Sequence, residues 1–235
     1  MNVAIVVAAG KGTRLGSNRP KQFLELDGIP VIIHTLRQFE RAPEINEIVM
    51  VLPAPLTAES SESFLSVVKE FGLHKPRQVV AGGATRAQSV QRGLAVIADA
   101  EVVAVHDGVR PFVTPEEIGR VVTAARAHGA AVLVAPVTDT IKEISGDRVV
   151  RTLRRAQLRR ALTPQCFRFD ILKRAYAQLA EVEAEGTEVT DDCLLVERLG
   201  AEIAAVEGSA RNIKITQEED LVLARAILSS FVSSQ

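Results

Sequence analysis

The chain has 235 residues, 47% apolar and 24% charged, which suits a well-buried core and leaves one domain or, at most, two. A net charge of -1 excludes a general nucleic-acid binder, and aromatics at 4%, with no Trp and one Tyr, leave few platforms for stacking single-stranded bases. Cys166 and Cys193 lie far apart, the histidines form no pair at metal-ligand spacing, and no apolar run reaches spanning length, so we expect a soluble, cytoplasmic protein with reduced thiols.

Residues 3–7, Val-Ala-Ile-Val-Val, read as a short buried parallel strand, because they are rich in branched side chains and do not alternate. A loop of small residues follows, Ala8-Ala9-Gly10-Lys11-Gly12-Thr13-Arg14-Leu15-Gly16, and then Arg19-Pro20-Lys21-Gln22. Lys11, Arg14, Arg19 and Lys21 meet no acidic residue before Glu25. Backbone N–H groups at the carboxyl end of a strand approach anions closely, and unopposed cations make that anion a polyphosphate. The Walker loop is excluded, since Ile5 stands where its first glycine belongs. The dinucleotide fingerprint fails too, because Gly16 falls one place late after Gly10 and Gly12.

Along the chain, strands are predicted near 3–8, 45–52, 77–81, 101–106, 130–135 and 202–206. Helices are predicted near 30–41, 57–71, 84–98, 115–128, 168–182, 191–199 and 217–230. This alternation predicts an α/β fold, a doubly wound, mostly parallel, Rossmann-like sheet with helices on both faces. Thr114-Pro115-Glu116-Glu117 and Thr216-Gln217-Glu218-Glu219 read as capping boxes. Residues 136–160 break the alternation: two period-two stretches flank Gly146-Asp147, giving a hairpin inserted in the domain. Hairpins alone are marginal in water, so this arm needs a surface to pack on, and a second subunit is the natural candidate. We expect one domain over 1–235, with 136–160 as a protruding arm and a frayed end from residue 229.

Three further stretches carry chemistry. Residues 101–107 form an apolar run ending in Asp107, which places a carboxylate where open α/β sheets bind ligands. Mg²⁺ on a nucleoside triphosphate takes one or two protein carboxylates, so Asp107 is either its ligand or the first residue of an Asp-Gly turn. Gly82-Gly83 either lets a flat base lie against the backbone or merely turns the chain. Lys214, in Asn212-Ile213-Lys214-Ile215-Thr216, reads by itself as a surface lysine.

Eight ordered motifs together carry a resemblance. They are Val7-Ala8-Ala9-Gly10-x-Gly-x-Arg14; Pro20-Lys21-Gln22; Gly82-Gly83-x-x-Arg86-x-x-Ser89; His106-Asp107-x-x-Arg110-Pro111; Ala135-Pro136-Val137-x-Asp139-Thr140-x-Lys142; Thr163-Pro164-Gln165-x-Phe167; Val189-Thr190-Asp191-Asp192; and residues 212–216. Over about 3–220 the chain resembles the 2-C-methyl-D-erythritol 4-phosphate cytidylyltransferases of the non-mevalonate isoprenoid pathway. Ribitol 5-phosphate cytidylyltransferases share much of this pattern and supply the alternative substrate.

The resemblance implies CTP and a polyol phosphate as substrates, Mg²⁺ as cofactor and a homodimer joined through the arm. It implies that Arg14, Lys21 and Lys214 serve the triphosphate and the transition state, with Asp107 at the metal. Ala8, Ala9, Gly10, Gly83, Ala84, Ser89 and Gly108 would line the cytidine pocket. Arg110 and Thr190, with Thr140 and Arg155 from the arm, would grip the polyol phosphate, Arg155 also counting among the catalytic cations. The physics agrees: nucleotidyl transfer gathers negative charge on phosphorus and starts from an already ionised nucleophile, so it needs placed cations more than a general base.

Overall fold

The protein's structure, a computed structural model, describes residues 1–10 and 21–232. The elements run β1 (Asn2–Val7), a 3-10 turn (Lys21–Phe23), β2 (Glu25–Leu26), β3 (Ile29–Pro30), α1 (Val31–Arg41), β4 (Glu47–Leu52), α2 (Ala58–Glu70), β5 (Pro76–Ala81), α3 (Arg86–Ala95) and β6 (Val102–Asp107). They continue α4 (Pro115–His128), β7 (Ala130–Pro136), β8 (Lys142–Ser145), β9 (Arg148–Thr152), β10 (Arg159–Arg168), α5 (Phe169–Ala177), α6 (Leu179–Ala184), α7 (Asp192–Arg198), β11 (Ala204–Glu207) and α8 (Glu218–Val232).

Seven strands form the central sheet in the order β11-β7-β10-β6-β1-β4-β5. All neighbours run parallel except β10, which is antiparallel to both β6 and β7. Strand parity divides the core. Ala4, Val6, Met50 and Ala104 face α1 and α4, whose Leu36, Phe39, Ile118 and Val122 are buried against them. Val3, Ile5, Val49, Val103 and Val105 face α3, α5 and α7 on the other side. Both faces of β1 and β6 are therefore buried, which is why their sequences do not alternate. From β1 the chain winds outward to β4 and β5, then returns to lay β6 on the opposite side of β1. That reversal opens a crevice at the carboxyl ends of β1 and β6, the place where such sheets hold ligands.

The sequence-predicted strands and helices are all present, and the differences have physical causes. β10 is absent from the sequence reading, which joins its first residues to the arm and leaves the rest as a loop. Pro164 argues against a central strand, having no N–H to donate. β10 accommodates it by slipping register between Ala161 and Gln165. The arm itself is shorter than 136–160: Pro136 ends β7, and β8 and β9 pair from Lys142 with Thr152 to Ser145 with Arg148. The expected helix 168–182 is broken at Gln178 into α5 and α6. The terminal helix continues through Val232, and residues 233–235 of the expected frayed end lie outside the described residues.

The box at Thr114 is as read: its hydroxyl accepts from the Glu117 N–H, and the Glu117 carboxylate accepts from the Thr114 N–H. The box at Thr216 is corrected. Asp220, not Glu219, reaches back, accepting from the N–H of Thr216 and Gln217 and from the Thr216 hydroxyl. No helix among the described residues is long and apolar enough to cross a membrane.

Glu117 also accepts from the Ser209 N–H with its second oxygen, so it ties the start of α4 to the chain beyond β11. Thr114→Ala should lower the unfolding free energy by about 1 kcal/mol, the ordinary worth of a lost cap. Glu117→Ala should cost about 2–3 kcal/mol, because two backbone donors lose a charged acceptor. Urea midpoints at constant m-value measure both, and equal losses would show that the Ser209 contact adds nothing.

Candidate active site

The loops at the sheet's carboxyl edge leave their strands in fixed register. The N–H of Ala8 donates to Val51 O, that of Gly82 to Leu52 O and that of Gly108 to Val7 O, each at 2.8 Å. A cleft of about 680 Å³ opens above them. Ala8, Ala9 and Gly10 form one wall, and Gly83, Ala84 and Ser89 form the other. A Cβ on Gly82 would stand 2.2 Å from Ala9 Cβ, and one on Gly83 would stand 2.4 Å from Gln88 Cβ. Only a glycine at 82 lets the two loops come this close, and only one at 83 clears the first turn of α3, so the pair has a packing reason as well as a ligand-facing one. The Ser89 hydroxyl accepts from the Gly83 N–H at 3.0 Å and donates to Thr85 O at 2.9 Å, fixing that second wall.

The charged groups gather around Asp107, which is 5% exposed at the end of β6. Its Oδ1 lies 3.0 Å from Arg86 Nε, and its Oδ2 lies 2.9 Å from Lys214 Nζ and 3.4 Å from Arg110 Nε. Burial alone would raise the carboxyl's pKa, but Arg86, then Lys214 and Arg110, outweigh it and hold the group well below the usual carboxylate range. Arg86 reaches a second carboxylate, Asp192 Oδ2, at 2.9 Å. Three cations thus face two carboxylates, leaving a positive excess beside the cleft that Arg86, Asp107 and Lys214 line.

Beneath this cluster, neutral hydrogen bonds fix the backbone. The Asp107 N–H donates to the Thr163 hydroxyl at 3.2 Å, and that hydroxyl donates to His106 Nδ1 at 3.0 Å. His106 Nε2 then carries the proton and donates to Arg110 O at 3.1 Å. Burial lowers the His106 pKa to about 3, against the raising influence of Asp107, so the ring is neutral and structural. The Asn212 amide donates to Thr163 O, and Arg110 donates to Asn212 O, each at 2.9 Å, which docks the Lys214 segment.

Among the described residues no group of three His, Cys, Asp or Glu side chains could hold a metal ion. A single carboxylate suits a Mg²⁺ that brings phosphates and water as its other ligands. Asp107 has about four acceptor positions, and its three cationic contacts occupy three of them, so the carboxylate has one position left for a cation whose other ligands are phosphates and water.

Of the sequence-predicted residues, Ala8, Ala9, Gly10, Gly83, Ala84, Ser89, Asp107 and Lys214 come together in the cleft. Arg110 stands beside it on Asp107. Gly108 follows β6 at the base of the cleft, where a Cβ would meet Ile32 Cδ1 at 2.7 Å and Ala8 Cβ at 3.1 Å. Thr190 is exposed just ahead of α7. Thr140 and Arg155 are exposed with the arm, Arg155 donating to Thr138 O at 2.6 Å, and neither lines this chain's own cleft. Arg14 lies outside the described residues, while Lys21 opens the 3-10 turn.

The sequence reading left Arg86, Arg92 and Gln22 without roles, although all three line the cleft. Arg92 donates to Gly82 O at 2.7 Å, and the buried Gln22 amide nitrogen has no partner among the described residues. The signal for Arg86 was a cation opening a helix whose first turn holds no acid to account for it.

The sequence profile of the 2-C-methyl-D-erythritol 4-phosphate cytidylyltransferase family matches residues 2–230. A protein of that name from Alkaliphilus metalliredigens is 44% identical over 229 residues, spanning 96% of this chain and 92% of its own length. One from Bacillus velezensis is 43% identical, spanning 97% and 96% respectively. The crystal structure of the Thermus thermophilus protein of the same name is 35% identical, with a TM-score of 0.74 over 96% of this chain and 98% of that one. A 4-diphosphocytidyl-2C-methyl-D-erythritol synthase from Anaerococcus prevotii, 31% identical, reaches a TM-score of 0.83 over 97% of this chain and 96% of its own. With the profile matched from the first strand to the last helix, the chain belongs to the 2-C-methyl-D-erythritol 4-phosphate cytidylyltransferase family.

Proposed function

We propose that the chain transfers the cytidylyl group of CTP to 2-C-methyl-D-erythritol 4-phosphate, giving the CDP-polyol and pyrophosphate for the non-mevalonate isoprenoid route. The family match over residues 2–230 carries this reading. The cleft supports it, since backbone walls suited to a flat base end in a cluster of cations.

In this reading a phosphate oxygen of the polyol phosphate attacks the α-phosphorus of CTP. The bond from that phosphorus to the bridging oxygen breaks, and pyrophosphate leaves with the electron pair. Ala8, Ala9, Gly10, Gly83, Ala84 and Ser89 hold the cytidine. Arg14 and Lys21 hold the triphosphate from one side and Lys214 from the other, stabilising charge that grows on the phosphoryl group. Asp107 would hold a Mg²⁺ at this site, and the ion would supply neutralisation of the phosphate charge. Arg110 and Thr190 take the polyol phosphate together with Thr140 and Arg155 of the partner subunit. The chain works as one domain, residues 1–235, in a cytoplasmic homodimer whose arms cross. Ile144, Val149 and Val150, exposed at 62%, 61% and 55%, are the apolar surface that supports the crossing.

Pyrophosphate release should require CTP and the methylerythritol phosphate together. Lys21→Ala and Lys214→Ala should each lower kcat by about a hundredfold or more while weakening CTP binding far less. A rate within threefold of wild type at saturating CTP would remove the substituted lysine from the chemistry.

Chelation should abolish turnover and Mg²⁺ should restore it. Asp107→Asn should raise the Mg²⁺ concentration needed, and an unchanged Mg²⁺ titration would return Asp107 to a purely structural role.

If the arm crosses, Arg155 serves the neighbouring site and Lys21 its own. Arg155→Ala and Lys21→Ala homodimers should both be nearly inactive. Their doubly tagged mixed dimer holds one intact site, so it should regain about half the wild-type activity per dimer. A mixed dimer as inactive as its parents would mean that Arg155 acts within its own chain.

A further inference from the structure

Asp192 is completely buried, yet the arrangement of α7 does not need its carboxylate. The cap of α7 is Asp191, whose Oδ1 accepts from the Leu194 N–H at 3.1 Å. The backbone of the helix start is held from β10, because Gln165 Oε1 accepts from the N–H groups of Asp192 and Cys193 at 2.9 and 3.1 Å. Both Asp192 side-chain oxygens instead face away to other elements. Oδ2 accepts from Arg86 and Oδ1 from the Tyr176 hydroxyl on α5. A buried carboxylate costs several kcal/mol unless it is paired and hydrogen-bonded, so these two contacts are what keep it there.

Arg86 is placed just as unexpectedly. It is the first residue of α3, where the helix dipole disfavours a cation, and no acidic residue of that first turn offsets it. Asp107 takes its Nε and Asp192 its Nη1, so the guanidinium is clamped between two carboxylates on the cleft wall. Remove Asp192, and Arg86 has one anchor and a bare charge beside the place where a triphosphate lies.

We propose that Asp192, braced by Tyr176, is a positioning residue for nucleotidyl transfer: it holds Arg86 on the cleft wall so that Arg86 keeps Asp107 aligned with Lys214. The proposal rests on the functional reading above and concerns the chemical step. Asp192→Asn keeps one oxygen for Arg86 and can turn its NH₂ toward the Tyr176 hydroxyl oxygen, but it removes the negative charge that holds the guanidinium. Arg86 then turns toward the triphosphate, which preserves or tightens CTP binding while misaligning Asp107 and Lys214.

The test measures kcat, KM for CTP, and CTP binding by calorimetry for the wild type, Asp192→Asn, Tyr176→Phe, Arg86→Gln and the double variant Arg86→Gln/Asp192→Asn. Asp192→Asn should lower kcat about tenfold or more, with KM for CTP unchanged or lower and about one CTP still bound per chain. Tyr176→Phe should act in the same direction by a smaller factor, about threefold. In the Arg86→Gln background, Asp192→Asn should change kcat by less than about twofold, because the residue it positions is gone. The double variant removes one charge of each sign, so it and Tyr176→Phe carry the test even if Asp192→Asn folds poorly. Additive losses across the cycle, a raised KM with unchanged kcat, or a Tyr176→Phe enzyme identical to wild type would overturn the proposal. A wild-type protein that released no pyrophosphate from CTP would strike the functional reading instead, so the two failures are distinguishable.

Discussion

The burial of one carboxylate organises this molecule. Asp107 sits at the end of a strand buried on both faces, paired in register with Val7 of β1, and a lone charge there would cost several kcal/mol. Its three cations come from stretches far apart in sequence: the start of α3, the turn after β6 and the segment before α8. Each requirement propagates. For Arg86 to reach Asp107, α3 must begin over the end of β1, which the glycines at 82 and 83 allow. For Lys214 to reach it, residues 212–215 must return across the sheet. They do so through Asn212 on Thr163 and the Ile215 N–H on Val109 O at 3.0 Å. Setting three cations against Asp107 and Asp192 leaves the cleft electropositive, the condition for holding phosphates.

How much of this was legible depends on whether the cause is local. β1 and β6 could be read because an unalternated branched run suits a strand covered on both sides. The cleft walls could be read because small residues after a strand leave the backbone open to a ligand. β10 could not be read, since Arg159, Arg160 and Pro164 deny it every local sign of a central strand, and only the slipped ladder shows how it is accommodated. Asp191 and Asp192 look equivalent as a string. Tyr176 and Arg86, distant in sequence, decide that one caps a helix and the other reaches the site. Gly108 enters through the resemblance alone, and the closeness of Ile32 and Ala8 that demands a glycine there is visible only in the fold.

The arm illustrates a fold element whose sequence states its form but not its support. β8 and β9 pair around the Gly146 turn with Ile144 opposite Val149, and a register shift between Glu143 and Ile144 interrupts the alternation. Within the chain the hairpin is held by exposed contacts, Arg151 with Glu143 and Lys142 with Thr152, of the kind that contribute at most about 1 kcal/mol each. Its firm attachment is at its roots, where β7 enters and β10 leaves as long, mutually paired strands.

The same β10 and the segment around Lys214 also set an order of events as the chain is made. Asp107 is synthesised with Arg86 already behind it, but Thr163, which fixes its backbone, and Lys214 follow only later. A nascent chain can therefore lay β1, β4, β5 and β6 side by side while the charge at their edge is still incompletely matched. The seal comes when α8 docks, setting Ala224 and Ile227 against Leu26, Val31 and Phe112 and drawing Ile215 into the same cluster. Maturation of the site is thus tied to the last helix, and a chain cut off before it carries a sheet without its finished centre.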